Sequence, residues 1–529
     1  MVPERVLVSD PLSEQGIAVL KQAGLDVDVN TGLSEEELIA VIGQYDGLVV
    51  RSQTQVTAKV IAAGKKLKAV GRAGVGVDNV DLEAATEHGV IVLNAPSGNT
   101  ISTAEHTMAM MLSLARNIPQ AHLSMQEGRW DRKKYTGVEL NAKVLGIIGL
   151  GRVGSQVASR AQAFGMQILA YDPYLAEERA EELGIKLATV EEILQNADFI
   201  TVHTPLTAQT KDLIGSAEFA KMKAGVRIIN CARGGIINYD ALAEAVQSGK
   251  VAGAAIDVYQ QEPPPEDLPL RGLPGVILTP HLGASTAEAQ INVAIDVAKE
   301  LVRALEGKAF KNAVNMTPLR PELLAQLEPY LDLSQRLGSM AAQLSTGGIA
   351  SVEITYSGEL AELEVAPLTT ALLKGILSLP FGDEVNMVNA GYLAKKRGLK
   401  VKESRAAAPE DYTNLISVTA HSTRGSHQLA GSLFGRNDAR IVQVDGYHVD
   451  VIPQGHLLAI DHHDRPGIIG QVGTLLGAEG INIATMQVGR REIGGEAVMV
   501  LSIDNQLTAQ TLAKIGEIQD IRNVRSVNV

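Results

Sequence analysis

The chain has 529 residues, 45% of them apolar, with 47 Lys and Arg against 60 Asp and Glu for a formal charge of −13. That length predicts roughly three or four domains with proper cores and excludes a disordered chain; the acidic balance argues against nucleic acid as the main partner, and 3% aromatic residues against a binder that stacks single-stranded bases. A lone Cys231 excludes a disulfide framework and a Cys-cluster metal site, MVPERVLVSD lacks a basic start followed by an apolar run, and no apolar stretch reaches the ~18 residues of a membrane helix, so the expectation is a soluble, cytoplasmic, multidomain protein with no metal and no membrane partner.

RVLVSD (5–10) reads as a short strand closed by a turn, and SEQGIAVLKQAG (13–24) as a helix stopped by glycine. DVDVN, SEEELIAVIGQY and GLVVRS repeat the cycle, followed by KAVGRAG and GVIVLNAP. Strands alternating with helices of this length predict βαβ units and a parallel sheet. NTISTAEHTMAMMLSLARN (99–117) carries the strongest helical signal, with Ser102 and Glu105 read as a capping box and Met108, Met111, Leu112 and Ala115 as its apolar face. The alternation restarts at KVLGIIGLG (143–151) and runs to VILTPH (276–281), which predicts a second α/β unit. AEAQINVAIDVAKELVRALEG (287–307) then reads as a long helix that returns the chain.

After residue 318 the pattern changes. TPLRPELLAQLEPY marks a boundary, and from 320 to 453 strands (ASVEITYSG, KVKESR, ARIVQVDGYHVDVIP) surround helices such as VNMVNAGYLAKKRG. Pro453-Gln454-Gly455 marks a second boundary, and 456–529 reads β-α-β-β-α-β, a ferredoxin-like order.

The sharpest local signal is Gly149-Leu150-Gly151-Arg152-Val153-Gly154, between the apolar run VLGII and the helical SQVASRAQAFG. In such a loop the first glycine permits a tight turn, the second lets a pyrophosphate approach the backbone, and the third lets helix pack on strand. The helix N-terminus then faces the anion. The next apolar run, MQILAYD, ends in Asp172, 18 residues beyond Gly154, close to the offset of an acid that binds a ribose 2′-hydroxyl. A carboxylate there repels a 2′-phosphate, so the expected cofactor is NAD.

ARGGIINYDAL (232–242), DVYQQEPP (257–264) and PHLGAST (280–286) resemble signatures of the D-2-hydroxyacid dehydrogenases. With RSQTQVTAKVI (51–61), GRAGVGVDNVD (71–81), NCARGG (230–235) and IDHHDRPGIIG (460–470), essentially the whole chain resembles the long-form D-3-phosphoglycerate dehydrogenase family. The resemblance implies two doubly wound, Rossmann-like α/β domains followed by an α+β intervening domain and a ferredoxin-like ACT domain. It divides the chain into a substrate-binding domain (1–98 plus 286–318), an NAD-binding domain (99–285), an intervening domain (319–453) and an ACT regulatory domain (454–529). The activity it implies is NAD-dependent oxidation of 3-phospho-D-glycerate to 3-phosphohydroxypyruvate, the first step of L-serine biosynthesis, with L-serine as candidate effector. It further implies a homo-oligomer, a tetramer. The alternatives are another D-2-hydroxyacid dehydrogenase, including one that reduces 2-oxoglutarate, and a non-catalytic, nucleotide-sensing corepressor.

Oxidising a secondary alcohol needs a hydride acceptor, a base for the hydroxyl proton and a cation for the carboxylate. Imidazole titrates near working pH, a carboxylate on its other nitrogen orients it, and a guanidinium fork matches a carboxylate. The family resemblance assigns these roles to His281, Glu262 and Arg233. Along the cofactor it places Val75, Gly149, Gly151, Arg152, Val153, Gly154, Asp172, His203, Thr204, Cys231, Ala232, Arg233, Asp257, His281, Gly283 and Ala284, with Asp257 toward the carboxamide and Cys231 as a small buried residue, not a nucleophile. Around a small phosphorylated hydroxy acid it places Arg51, Ser52, Arg72, Gly74, Val75, Asn99, Arg132, Lys133 and Arg233, with Arg132 and Lys133 completing a neighbouring subunit's pocket. Where relatives often carry Thr this chain has Val75, so any contact there comes from backbone. For serine it points to His462 and Asp464 of one ACT domain and Asn482 of another; Asp464, Asn in some relatives, would meet an amino group by charge. Lys395, Lys396 and Arg397 are read as solvated surface or an anion site.

Overall fold

The computed structural model describes residues 3–316, 321–407, 409–435 and 437–529; the expected boundary at 318/319 lies outside them. The first sheet contains β1 (Arg5–Val8), β2 (Asp26–Val29), β3 (Gly47–Val50), β4 (Ala69–Arg72) and β5 (Ile91–Asn94) in the order β2-β1-β3-β4-β5. All its pairings are parallel. The second contains β6 (Val144–Ile148), β7 (Gln167–Tyr171), β8 (Lys186–Leu187), β9 (Phe199–Val202), β10 (Val226–Asn230), β11 (Val251–Ile256) and β12 (Val276–Leu278), again all parallel, in the order β12-β11-β10-β9-β6-β7-β8. Both are doubly wound, and the second reverses between β6 and β9. Strands such as Gly47–Val50 and Phe199–Val202 are buried at every position, as parallel strands covered on both faces must be.

Two long helices join the halves. Ala287–Leu305 buries Val293, Val297 and Leu301 against Val6, Val8, Val49 and Leu93 of the first sheet. Thr100–Arg116 buries Met108, Met111 and Leu114 against Leu145, Ile147 and Phe199 of the second. The capping box expected at Ser102 and Glu105 is not formed. The helix starts three residues earlier, with Asn99 as N-cap and no side-chain cap bond; Ser102 Oγ instead donates to the Asn99 carbonyl. Glu105 pairs with Arg160 at 3.6 Å.

The third sheet contains β13 (Ile349–Gly358), β14 (Lys400–Ala406), β15 (Asn414–Ser422), β16 (Gly425–Phe434), β17 (Asp438–Val444) and β18 (Tyr447–Val451), ordered β14-β13-β15-β16-β17-β18. Only β13 and β14 pair in parallel. The run ARIVQVDGYHVDVIP is a hairpin, not one strand. Asp445 and Gly446 sit at φ +48 and +80, the two positive φ values that a two-residue type I′ turn demands. β15 and β16 carry no clear strand signal in the sequence, because LISVTAHS and HQLAGSLF mix small and polar residues into the alternation. Lys396 is paired with Glu87 and the Arg397 guanidinium stacks 4.0 Å over the Phe381 ring, so neither is a free anion site.

The last sheet contains β19 (His456–His463), β20 (Ile483–Arg490), β21 (Glu496–Ile503) and β22 (Ile521–Asn528) in the antiparallel order β20-β21-β19-β22, with helices Ile468–Ala478 and Ala509–Gly516. It is not a separable appendage. Leu457, Val498, Val500 and Val527 share one core cluster with Leu337, Tyr356, Leu372 and Ile416 of the preceding unit.

Candidate active site

The glycine loop leaves β6 at the reversal point of the second sheet, where open α/β sheets bind ligands. Gly149 has φ +97, and a Cβ there would come 2.6 Å from the His203 carbonyl oxygen. A Cβ on Gly154 would stand 2.1 Å from the Gly149 carbonyl oxygen, whereas at Gly151 nothing lies within 4 Å. One glycine therefore turns, one packs and one leaves open space. Beyond it, helix Arg152–Ala163 starts at Gly151 without a side-chain cap, so its first N–H groups are free for an anion. Arg152 is exposed and Val153 half-buried on that first turn.

Asp172 follows β7; its Oδ2 accepts from Leu150 N–H and its Oδ1 from Tyr174 N–H, each at 2.9 Å. The loop after β9 brings His203 and Thr204 against the same glycines. The His203 ring lies 3.0 Å from Thr201 Oγ1, and burial pulls its pKa down to about 4. Thr204 Oγ1 is buried without a partner, a donor left over for a ligand. These features fit a dinucleotide.

Cys231 and Ala232 follow β10, and burial pushes the Cys231 thiol up. Its Sγ lies with ligand atoms of His106 and Asp257 within 4.8 Å of one another. Asp257, 0% exposed, is occupied by hydrogen bonds from Thr279, Leu282 and Gly283, so this trio reads as a hydrogen-bonded core and not as a metal centre.

Between the carboxyl ends of the two sheets lies a cavity of about 300 Å³ lined by Arg51, Ser52, Arg72, Gly74, Val75, Asn99, Arg233, Glu262, His281 and Ala284. His281 Nδ1 stands 2.7 Å from Glu262 Oε2, which leaves Nε2 free, and Glu262 Oε1 accepts from Tyr259 N–H at 3.1 Å. Burial would raise the Glu262 carboxyl, but the His281 and Tyr259 hydrogen bonds outweigh it and hold it below its ordinary value. The bonds of its ionised form are therefore complete above the ordinary glutamate range and lost only as pH falls through the lowered value.

Three guanidiniums face one another here. Arg233 Nε stands 3.3 Å from Asp78 Oδ2, and its Nη1 donates to the Ala232 carbonyl at 2.7 Å. Arg51 is anchored through its backbone N–H on Asp10 Oδ2 at 2.6 Å. Arg72 is the most enclosed: burial first, then the charges of Arg233 and Arg51, lower its pKa to about 10, so it stays cationic at neutral pH. Its Nε is buried without a partner. A cluster of like charges with an orphaned donor is built for an anion from outside.

Arg132 and Lys133 lie exposed on a short 3-10 turn, Arg132–Tyr135, and do not line this cavity within the chain. Asp78, Ser285 and Gln290 do line it and were not singled out from sequence. Asp78 sits inside GVDNVD, whose acid was the only hint; Gln290 arrives on the returning helix, whose docking no local pattern announces. In the last sheet His462 is 3% exposed, its Nδ1 on the His463 carbonyl at 2.8 Å and its Nε2 without a partner. Asp464 is held by Arg490 at 2.7 Å, which keeps its carboxyl below the ordinary range. Asn482 bonds Asp504 at 3.0 Å, at the opposite end of the sheet from His462.

A nucleotide loop facing a His–Glu pair and an arginine-lined cleft between two doubly wound halves defines an NAD-dependent oxidoreductase of the D-2-hydroxyacid dehydrogenase class. Residues 108–283 match the model of the D-isomer specific 2-hydroxyacid dehydrogenase NAD binding domain, 326–445 that of the D-3-phosphoglycerate dehydrogenase intervening domain, and 456–520 that of the ACT domain. The chain is 48% identical to a D-3-phosphoglycerate dehydrogenase of Methanocaldococcus jannaschii over 99% of its own length and 100% of that one's. It is 46% identical to that of Bacillus subtilis over 99% of each. Among solved structures, the TT0316 protein of Thermus thermophilus (34% identity, TM-score 0.54) and the apo D-lactate dehydrogenase of Escherichia coli (28%, 0.53) each align along 99% of their length with 59% of this chain. The chain belongs to the D-3-phosphoglycerate dehydrogenase family.

Proposed function

We propose that the chain oxidises 3-phospho-D-glycerate to 3-phosphohydroxypyruvate with NAD, the first step toward L-serine. The observation that carries this reading is one cavity holding the His281–Glu262 pair and three guanidiniums, one buried with a donor unspent. NAD, when bound, supplies the hydride acceptor. His281 Nε2 takes the hydroxyl proton, while Glu262 holds Nδ1 and stabilises the cationic ring. Arg233 holds the carboxylate by its fork and polarises the adjacent oxygen. Arg51, Arg72, Ser52 and Asn99, with the Gly74–Val75 backbone, hold the phosphate end. Residues 149–154, Asp172, His203, Thr204, Cys231, Ala232, Asp257, Gly283 and Ala284 lie along the cofactor. The substrate and cofactor units, 1–98 with 286–318 and 99–285, meet at this cleft, with 319–453 and 454–529 as the regulatory half.

NADH formation by the purified protein tests the reading. The phosphorylated acid is expected to outperform D-glycerate, D-lactate and D-2-hydroxyglutarate. Faster turnover of an unphosphorylated acid overturns the substrate, and no NADH with any of them favours a nucleotide-sensing role. Asp172 decides the cofactor, because a 2′-phosphate would meet its carboxylate at like charge. The parent is expected to prefer NAD over NADP, and Asp172→Ala to narrow that preference. Equal use of both cofactors by the parent removes Asp172 from this role.

The chain works in the cytoplasm as a homo-oligomer, a tetramer. Trp130, Leu123, Met125 and Ile118 are exposed beside Arg132 and Lys133, an apolar surface suited to a second copy that would carry those cations to the partner's cavity. L-serine is the effector, held by His462 and Asp464 of one copy and Asn482 of another. The unspent His462 Nε2 and the opposite placement of Asn482 within one chain support a site shared by two copies. Inhibition then requires serine to bind an inactive arrangement more tightly, by ~1–3 kcal/mol. Calorimetry on the intact enzyme should detect serine binding, and His462→Ala should abolish it and keep turnover. Deleting 455–529 would strip the shared core and is the poorer test. No serine binding by the parent makes this domain purely structural.

A further inference from the structure

We propose that His106, together with Thr279, is a positioning residue for His281, acting through the buried carboxylate of Asp257. The backbone of His281 has φ +55, a left-handed conformation that is unfavourable for a non-glycine residue and persists only where its surroundings over-determine it. Tyr259 OH on the Thr279 carbonyl and Thr103 Oγ1 on the Gly283 carbonyl hold the segment's ends, and one carboxylate ties both sides of His281 together. Asp257 Oδ1 accepts from Thr279 Oγ1 at 2.6 Å and from Leu282 N–H at 2.8 Å, and Oδ2 accepts from Gly283 N–H at 2.9 Å. Residues on both sides of His281 are thus tied to one side chain, which is 0% exposed.

A fully buried carboxylate stays in place only with enough donors around it. Its one ionisable hydrogen-bond partner among the described residues is His106, whose Nε2 stands 3.2 Å from Oδ1 and 3.5 Å from Thr279 Oγ1. Burial would push the Asp257 carboxyl up; His106, Thr279 and Leu282 together outweigh it and hold it down. His106 rides on Thr100–Arg116, whose apolar face packs in the core of the second sheet. The imidazole therefore reports a rigid helix to the loop that carries the proton acceptor. Without its donor, the carboxylate relaxes and the 279–283 segment drifts; displacements of about 1 Å in such a site can cost 10²-fold in rate.

The inference rests on His281 as the proton acceptor, so the two are tested apart. His106→Leu removes the donor, while His106→Gln keeps a donor near the position of Nε2. On the full-length enzyme at saturating NAD, His106→Leu is expected to lower kcat by about 10- to 100-fold; because Asp257 and Gly283 also lie along the cofactor, the Kd for NADH, read by fluorescence titration, is expected to rise as well, but by less than kcat falls. His106→Gln is expected to restore most of that loss. Thr279→Val supplies a second variant, with a kcat loss at saturating NAD that likewise exceeds its change in NADH affinity, should His106→Leu fail to fold. The role is overturned by parent-like kcat in the donor-free variants at saturating NAD, by equal losses in His106→Leu and His106→Gln, or by a loss that lies wholly in weaker NADH binding. Near-normal turnover of His281→Asn would instead overturn the reading beneath it.

Discussion

The His281→Asn enzyme is expected to bind NADH as the parent does and to turn over ~10²–10⁴-fold more slowly, the usual contribution of a general base. Its Nδ1 is engaged by Glu262 at 2.7 Å and only Nε2 is free, so proton transfer has one route and asparagine cannot provide it. Asparagine suits the test because it tolerates positive φ better than most residues, and position 281 sits at φ +55. The glycine loop and Asp172 lie on other elements, so fluorescence titration with NADH should return an unchanged Kd. Near-normal kcat would remove His281 from the chemistry, and lost NADH binding would show that the change had disturbed the loop.

Arg233→Lys is the second large effect. Arg233 spends Nη1 on the Ala232 carbonyl and aims Nε at Asp78, an arrangement that only a planar fork of several donors can satisfy while still meeting a carboxylate. A lysine ammonium brings one point charge, which Asp78 can capture. Loss of one preorganised donor to a charged reacting group costs about 10²–10³ in rate. The expected result is a fall in kcat/KM of that order, with KM for the acid raised and NADH affinity kept. A lysine variant with the parent's KM would show that the carboxylate is held elsewhere, with Arg72 as the next candidate.

The local half of this protein was legible from its residues. The glycine spacing at 149–154, the carboxylate at 172 and the unbroken apolar strands declare a parallel, nucleotide-binding sheet, because each follows from backbone sterics and burial within a few residues. The ferredoxin-like order of 456–529 was equally plain, since short apolar strands and two helical runs follow one another within it. The hairpin at Asp445-Gly446 has a local signal too, since Asp-Gly is a dipeptide that suits two positive φ values in succession. The capping box at Ser102 failed for a tertiary reason. The chain enters that helix from the cleft, where Asn99 lines the cavity and takes the N-cap place.

Residue types and spacing determined the fold class and the nucleotide loop and put a carboxylate at 172 beside it, all consequences of short-range geometry. Only the tertiary structure decided which charges meet. Arg51, Arg72 and Arg233 end or follow three strands of two sheets and become neighbours only when the two halves close over one cavity. Asp78 against Arg233 and His106 against Asp257 span long separations in the chain, and no periodicity encodes such pairs. The C-terminal ACT unit likewise read as a separate domain, yet Leu457, Val498 and Val527 complete its neighbour's core. An apolar face in a sequence says that it will be covered; which surface covers it is settled by the packing of the whole molecule.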